Sequence, residues 1–245
     1  MRGWRWKIVA GPPLPLDRVL PVAEAVRGMA QEARFVLCGS RRLPACLHGP
    51  DPGKDISRAG GRSDKKEREE HAHAFWLPSD EDADGNIDHI LVHAHAGLDP
   101  AAIRTLACCH RMQLQDIGSW ELMPEWMGWK GVAGLYGPAR VWQSRTPWFP
   151  PGDVHRLGCK DLIARELDQR GFPDAQAIDP RGKAVELGDR HLTVADFQTE
   201  RENGTAPRRI AEGCFVRLTF AKPLTGPLSL GFAAHFGLGQ FAPVA

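Results

Sequence analysis

The stretch that most constrains this chain is HAHAFWLPSDEDADGNIDHILVHAHAG, residues 71–97. Both of its ends alternate with the two-residue period of a β-strand. In the first strand, read over His71–Pro78, His71, His73, Phe75 and Leu77 share one face. In the second, Ile87–Ala96, the residues Ile90, Val92 and Ala94 lie opposite His89, Leu91, His93 and His95. The Asp84-Gly85 step between them is a hairpin signal. A central antiparallel hairpin has to bury one face, and the flanking segments provide cover. Val19, Leu20, Ala23, Val26, Met29 and Ala30 recur at helical spacing behind Asp17, a plausible N-cap, and this helix is expected to end near Ala33. A second helix is expected from Asp99 or Pro100, with Ile103, Leu106, Ala107 and Met112 on one face. Trp4–Ala10 reads as a first strand, broken by the prolines that follow, and Ser119–Met123 as a last one. Strand, helix, strand, strand, helix, strand is the ferredoxin-like order, a four-stranded antiparallel sheet backed by two helices.

The second half gives a fainter version of the same order. Pro124–Pro138 is rich in Gly, Pro and Trp and reads as a linker. Ala139–Thr146 is a strand, and Asp161–Arg170 a helix closed by Gly171 and Pro173. Residues 174–196 have no clear pattern, while Phe197–Glu202 and Cys214–Lys222 read as a hairpin around NGTAP. A glycine-rich segment, GPLSLGFAAHFGLGQF (residues 226–241), and a strand to Val244 complete the chain. The expectation is an α+β protein of tandem ferredoxin-like folds with a C-terminal glycine-rich loop. The first domain spans residues 1–124 with a long mobile loop at 39–70, and the second spans 139–245 with a degenerate second helix.

Two features point to a polyanion. Glycine at this density permits positive φ and close approach, and successive N–H groups in such a turn can cradle phosphate. The alternative is a tight turn that packs two strands together. The segment lacks the Gly-Lys-Ser/Thr ending of a mononucleotide loop, and His235 is its one titratable residue. Arg201, Arg208, Arg209, Arg217 and Lys222 precede it against only Glu202 and Glu212. The long loop adds Arg41, Arg42, Lys54, Arg58 and Arg62. Globally the charge is balanced, 31 basic residues to 30 acidic, so any basic surface is local.

The histidines offer acid–base chemistry, since an imidazole titrates near neutrality. Their spacing is not that of a strong metal site, and His89, His93 and His95 read by default as core histidines. Asp80, Asp82, Asp84, Gly85 and Asp88 follow the opening of an EF-hand loop, but Leu91 stands where its bidentate Glu belongs and strands flank it. A solvated acidic turn is the simpler reading; calcium on Asp80, Asp82, Asp84 and Asp88 is the alternative, and no other cofactor is expected. The six cysteines form no CxxC pair, and the eight tryptophans suit core or rim packing. No apolar run is long enough for a bilayer and the start is too briefly apolar for a signal peptide, so a cytoplasmic protein without a membrane partner is expected.

The hairpin stretch and the glycine-rich tail together resemble the CRISPR-associated RNA-processing proteins of the RAMP superfamily. Within it they look most like the repeat-cleaving half of the fused subunit of type I-U (I-G) systems. The resemblance runs from about Leu14 to the end, without the fused form's N-terminal capping half. It implies RAMP- and RRM-like folds and metal-independent cleavage of precursor CRISPR RNA. The 2′-OH attacks the adjacent phosphate, leaving a 2′,3′-cyclic phosphate. Other effector subunits are implied as possible partners. The catalytic histidine would lie near the loop after the first helix, where the candidates are His73 first, His71 second, and His48. Arg208, Arg209, Arg217, Arg41, Arg42 and His235 would bind RNA, with Gly237 and Gly239 presenting N–H groups. The alternatives are a non-catalytic RNA-binding subunit and a calcium-regulated protein.

Overall fold

A computed structural model describes residues 1–48, 73–115, 117–128, 135–151, 158–197 and 213–244. Its first sheet contains β1 (Gly3–Ala10), β2 (Phe75–Ser79), β3 (His89–His93), β4 (Arg111–Leu114) and β5 (Gly118–Gly128), in the spatial order β2-β3-β1-β5-β4. All its pairings are antiparallel. Without β4 this is the ferredoxin-like sheet; β4 is an added edge strand. Helices α1 (Val19–Cys38) and α2 (Pro100–Ala107) pack against one face. Val19, Leu20, Val22, Ala23, Val26 and Ala30 of α1 meet Trp6, Trp76, Ile90, Val92 and Trp120 in the main core. Each fully buried aliphatic side chain there contributes roughly 1.5–3 kcal/mol.

The second sheet has the order β11-β12-β6-β10-β7. Its strands are β6 (Ala139–Ser144), β7 (Ala175–Gly182), β10 (Phe215–Leu224), β11 (Leu228–Ser229) and β12 (Gln240–Pro243), with α3 (Cys159–Gln169) after β6. With β11 set aside, β12-β6-β10-β7 repeats the first sheet's order. The second crossover helix is replaced by the glycine-rich segment and one turn of 3₁₀ helix, Ala234–Phe236. The chain is therefore α+β with two ferredoxin-like units. A small hairpin, β8 (Ala184–Leu187) and β9 (Arg190–Thr193), leans back on the first unit, and Leu187, Leu192 and Val194 join the main core.

Several local expectations are corrected. Asp17 lies in a 3₁₀ turn, Leu16–Arg18, and its side chain makes no capping bond at the start of α1. That helix runs on to Cys38, where Gly39 at φ 72° ends it. Met112 lies on β4, because α2 stops at Ala107. β5 continues to Gly128, into the stretch read as linker. β10 pairs with β6 and β7, and the patternless stretch 174–196 holds β7, β8 and β9. The partner strand expected for β10 and the greater part of the loop at 39–70 fall outside the described residues.

Candidate functional site

The alternation of β3 builds the site. Ile90, Val92 and Ala94 enter the helix-covered core, which leaves His89, Leu91, His93 and His95 for the opposite face, where Leu91 packs in a smaller cluster with Tyr136 and Ala234. Across β2, Phe75 is the register partner of His93. The tail arrives on the same face: the His235 ring stacks on Phe75, centroids 4.0 Å apart, and its Nδ1 lies 3.4 Å from the Ala74 carbonyl. The 3₁₀ turn straddles the edge of β2, with Ala234 packed among Phe75, Leu77 and Tyr136 and Phe236 in the main core. His95 meets the Phe75 ring edge-on at 5.6 Å and the His93 ring at 4.8 Å. One phenylalanine ring therefore carries two imidazoles from distant parts of the sequence.

Beneath them His93 Nδ1 and the Tyr136 hydroxyl share a 2.9 Å hydrogen bond. Gly3 makes room for it: a Cβ there would stand 2.7 Å from the Tyr136 hydroxyl and 2.5 Å from Trp126. Burial drives the His93 pKa down to about 3, with His95 and Arg2 adding to the effect, so this ring is neutral at working pH. Burial also raises the Tyr136 pKa, keeping the phenol protonated. His95 is exposed as a residue, yet its ring is packed by protein. That packing lowers its pKa, and the charges of Arg2 and Arg170 lower it further. The Arg170 guanidinium lies 5.9 Å from the Phe75 centroid. It is held from α3 by Glu166 and donates to the Ser229 carbonyl, while both Glu166 carboxylate oxygens accept from the Gly231 N–H at 2.8 and 2.9 Å.

A second polar cluster occupies the other end of the same face. Arg5 pairs with Glu81 at 2.7 Å and with Glu125. His89 Nε2 is 3.3 Å from Glu125, and its Nδ1 is 3.0 Å from Asp88 without hydrogen-bond geometry. Arg5 on β1 and His89 on β3 both reach Glu125 on β5, which makes the cluster a brace across the three strands.

Of the residues expected from sequence, His235 lies inside the site. His73 stands half-buried at its margin, directly before Ala74, and His71 is outside the described residues. His48 is half-buried after the turn that follows α1. Arg41 is engaged with Glu32 at 2.7 Å and over the Phe35 ring, Arg42 is exposed nearby, and Arg208 and Arg209 are outside the described residues. Arg217, on β10, alternates with Val216 and Leu218, which enter the core under α3.

The expectation that Gly237 and Gly239 present N–H groups to a ligand is corrected. Both are buried, Gly237 N donates to Ala234 O, and Gly239 N donates to Pro147 O at 2.9 Å. Gly239 (φ +60°) packs so closely that a Cβ would lie 1.8 Å from the Leu230 carbonyl. The glycines fold the tail onto itself and onto the first sheet. His95 is likewise a surface group rather than a core histidine. Sequence reading placed His93 and His95 on the right face but did not connect them to Tyr136 or Arg170. The usable signal was the shared face of β3, plus a lone tyrosine in an otherwise glycine-rich connection.

Carboxylate oxygens of Asp80, Asp82 and Asp84 approach within 4.8 Å of one another. Asp80 accepts from the N–H groups of Asp84 and Gly85, Asp84 from Asn86, and Asp88 from Glu81, so these carboxylates shape the turn. The turn also docks the small hairpin: Arg190 donates to the Gly85 carbonyl and the Asn86 side chain. No helix among the described residues is long and apolar enough to cross a membrane.

No family model and no curated protein matches the chain. Among solved structures it is similar to Csf5, a CRISPR-Cas type IV Cas6 crRNA endonuclease, at 14% identity and a TM-score of 0.43, covering 100% of this chain and 99% of that one. It is also similar to a CRISPR-associated protein Cas6, at 7% identity and a TM-score of 0.39, covering 99% and 98%. A Cas6-related protein from Pyrococcus furiosus matches at 10% identity and a TM-score of 0.39, covering 98% and 97%.

Proposed function

We propose that the chain is a metal-independent endoribonuclease of the RAMP superfamily that binds and cleaves precursor CRISPR RNA within its repeats. We read it more finely as the repeat-cleaving half of a type I-U (I-G) subunit, acting in the cytoplasm. The observation that carries this reading is the convergence of His95 and His235 on one Phe75 ring, with the charges of Arg170 and Arg2 beside them.

Cleavage by 2′-OH attack needs a base at that hydroxyl, an acid at the leaving 5′-oxygen and positive charge around the phosphorane. His95 is the base in this scheme. Its lowered pKa keeps the imidazole unprotonated as the solution becomes mildly acidic. His235, half-buried on Phe75, supplies the proton to the leaving oxygen, and Arg170 and Arg2 stabilise the developing charge. The His93–Tyr136 pair fixes the ring of His95 from below and stays out of the proton transfers. His73 borders the same site and remains a second candidate for the acid.

The test is a panel of CRISPR repeat RNAs incubated with the protein in EDTA, with and without a 2′-deoxy substitution at the cut site. Cleavage in EDTA that stops with the deoxy substrate is expected, giving a cyclic phosphate end. His95→Ala and His235→Ala should each slow it by about 10²-fold or more while RNA binding persists. A metal requirement, or cutting of the deoxy substrate, overturns the mechanism. Salt-sensitive binding with no product would leave a non-catalytic RNA-binding subunit instead.

A further inference from the structure

Away from this face, α3 begins at a pair of thiols. Cys159 is its first residue, and Cys214 begins the strand register that leads into β10; their sulfurs are 3.4 Å apart. The two residues are 55 positions apart in sequence. The backbone of Cys214 is fixed by two 2.9 Å hydrogen bonds to Trp148. Cys159 is half-buried, which leaves the pair open to a small molecule from its side, whereas Cys214 is buried. We propose that Cys159 and Cys214 are an oxidant-sensitive dithiol that closes to a reversible disulfide with a peroxide-class oxidant.

Closing the sulfurs to the disulfide length of about 2.05 Å asks for a movement of about 1.4 Å, which the first turn of a helix can supply. The hydrogen bond between the two sulfurs holds the Cys214 pKa down against its burial, and Lys183 lowers it further. That favours a thiolate within the pair. The thiolate attacks one oxygen of hydrogen peroxide and the O–O bond breaks, leaving a sulfenic acid and, after protonation, water. The second sulfur then displaces the sulfenic oxygen as a second water. Two thiols and one peroxide thus become one disulfide and two waters, with two electrons passing from sulfur to oxygen. The bond would tie the start of α3 to β10. Because α3 also carries Glu166 and Arg170 to the tail, oxidation acts on the element that supports the tail. The inference does not depend on the ribonuclease reading.

The experiment treats the full chain with hydrogen peroxide, blocks remaining thiols and maps peptides without reductant. The expected result is a linked pair of peptides containing Cys159 and Cys214, lighter by two hydrogens and separated by dithiothreitol. A rise in Tm of roughly 5–15 °C should accompany it and vanish with the reductant. Cys159→Ser should abolish both effects. The proposal is overturned if the exposed Cys38 and Cys108 oxidise while Cys159 and Cys214 stay unlinked, or if either Cys159 or Cys214 proceeds to the sulfinic acid without a crosslink. Peptide mapping of the wild-type chain decides this even where a variant fails to fold.

Discussion

Replacing Glu166 by Ala tests how the tail is held on the first sheet. Glu166 on α3 and Arg170, which caps its C-terminus, are one helical turn apart, with side chains only 8% and 7% exposed. The carboxylate accepts from Gly231, and the guanidinium donates to Ser229. Removing Glu166 leaves a buried cation without its counter-charge and Gly231 N–H without its acceptor. Breaking a buried pair from one side costs about 3–5 kcal/mol, a large part of the roughly 5–15 kcal/mol that holds a domain together. Glu166→Gln keeps an acceptor for Gly231 and loses only the charge, so it should fall lower, near the 1.5–3 kcal/mol of a charge-assisted hydrogen bond. The decisive arm is the double variant Glu166→Ala with Arg170→Leu. With no cation left buried, it should be more stable than Glu166→Ala alone, giving a coupling of about 1–3 kcal/mol. Urea unfolding followed by tryptophan fluorescence measures all three, together with Arg170→Leu alone, which completes the cycle. Glu166→Ala within 0.5 kcal/mol of wild type, or a double variant whose loss equals the sum of the single losses, would refute the buried-clamp argument.

Gly239→Ala should destabilise by about 3 kcal/mol or more, since its φ of +60° already costs a side chain about 1–2 kcal/mol and the added methyl meets a fixed carbonyl. Gly28→Ala, in the middle of α1 with nothing within 4 Å of a new Cβ, should stabilise by about 0.5–1 kcal/mol; the opposite ranking in urea unfolding would refute the account of the tail. His93 is held neutral in the fold, so its contribution is present above the unfolded pKa near 6.5 and is lost as pH falls toward about 3, on the order of 4–5 kcal/mol over the window. Asp80, raised by burial to about 6, works with the opposite sign and loses stability as pH rises from 3.8 to about 6. NMR should therefore show no titration of the His93 ring between pH 8 and about 4, and a midpoint near 6.5 would contradict its burial. Arg190→Ala should cost about 1–2 kcal/mol by releasing the acidic turn from the small hairpin; no change in unfolding would mean that the contact is incidental.

The parts legible in the sequence are those written in short periods. The two-residue period of β3 assigned its faces correctly, and the helical recurrence from Val19 to Ala30 named residues that α1 buries, all but the partly buried Met29. The repeat of the first sheet's order in the second half, with a reduced crossover helix, was also visible. What failed was whatever depends on a distant partner. Nothing local says that Gly231 answers to Glu166, or that Gly3 is small because Tyr136 must reach His93. The tail's glycines were open to two readings because a phosphate cradle and a close-packed turn use the same composition. Only the destination of each N–H distinguishes them, and here those of Gly231, Gly237 and Gly239 all donate within the protein. The acidic turn carries the same double meaning, since its EF-hand spacing also suits aspartates that cap their own backbone, as these do.

The missing helix of the second unit and the site on the first belong to one arrangement. A full crossover helix before β12 would cover the second sheet and keep its residues there. The glycine-rich segment is irregular, so it can leave that sheet, pack Ala234 and His235 against Phe75, and return by way of Gly239 to pair Gln240–Pro243 with β6. Such an excursion has little helical hydrogen bonding of its own. It is held by bonds from outside itself: Glu166 to Gly231, Arg170 to Ser229, Pro147 to Gly239 and Thr146 to Gly237. This makes the position of His235 a consequence of α3 and of the chain just after β6, neither of which touches the first sheet's histidines through its own strand register. Loosening α3 should therefore displace His235 while leaving His93 in place, because His93 is fixed by β3 and Tyr136, and His95 packs on the His93 ring.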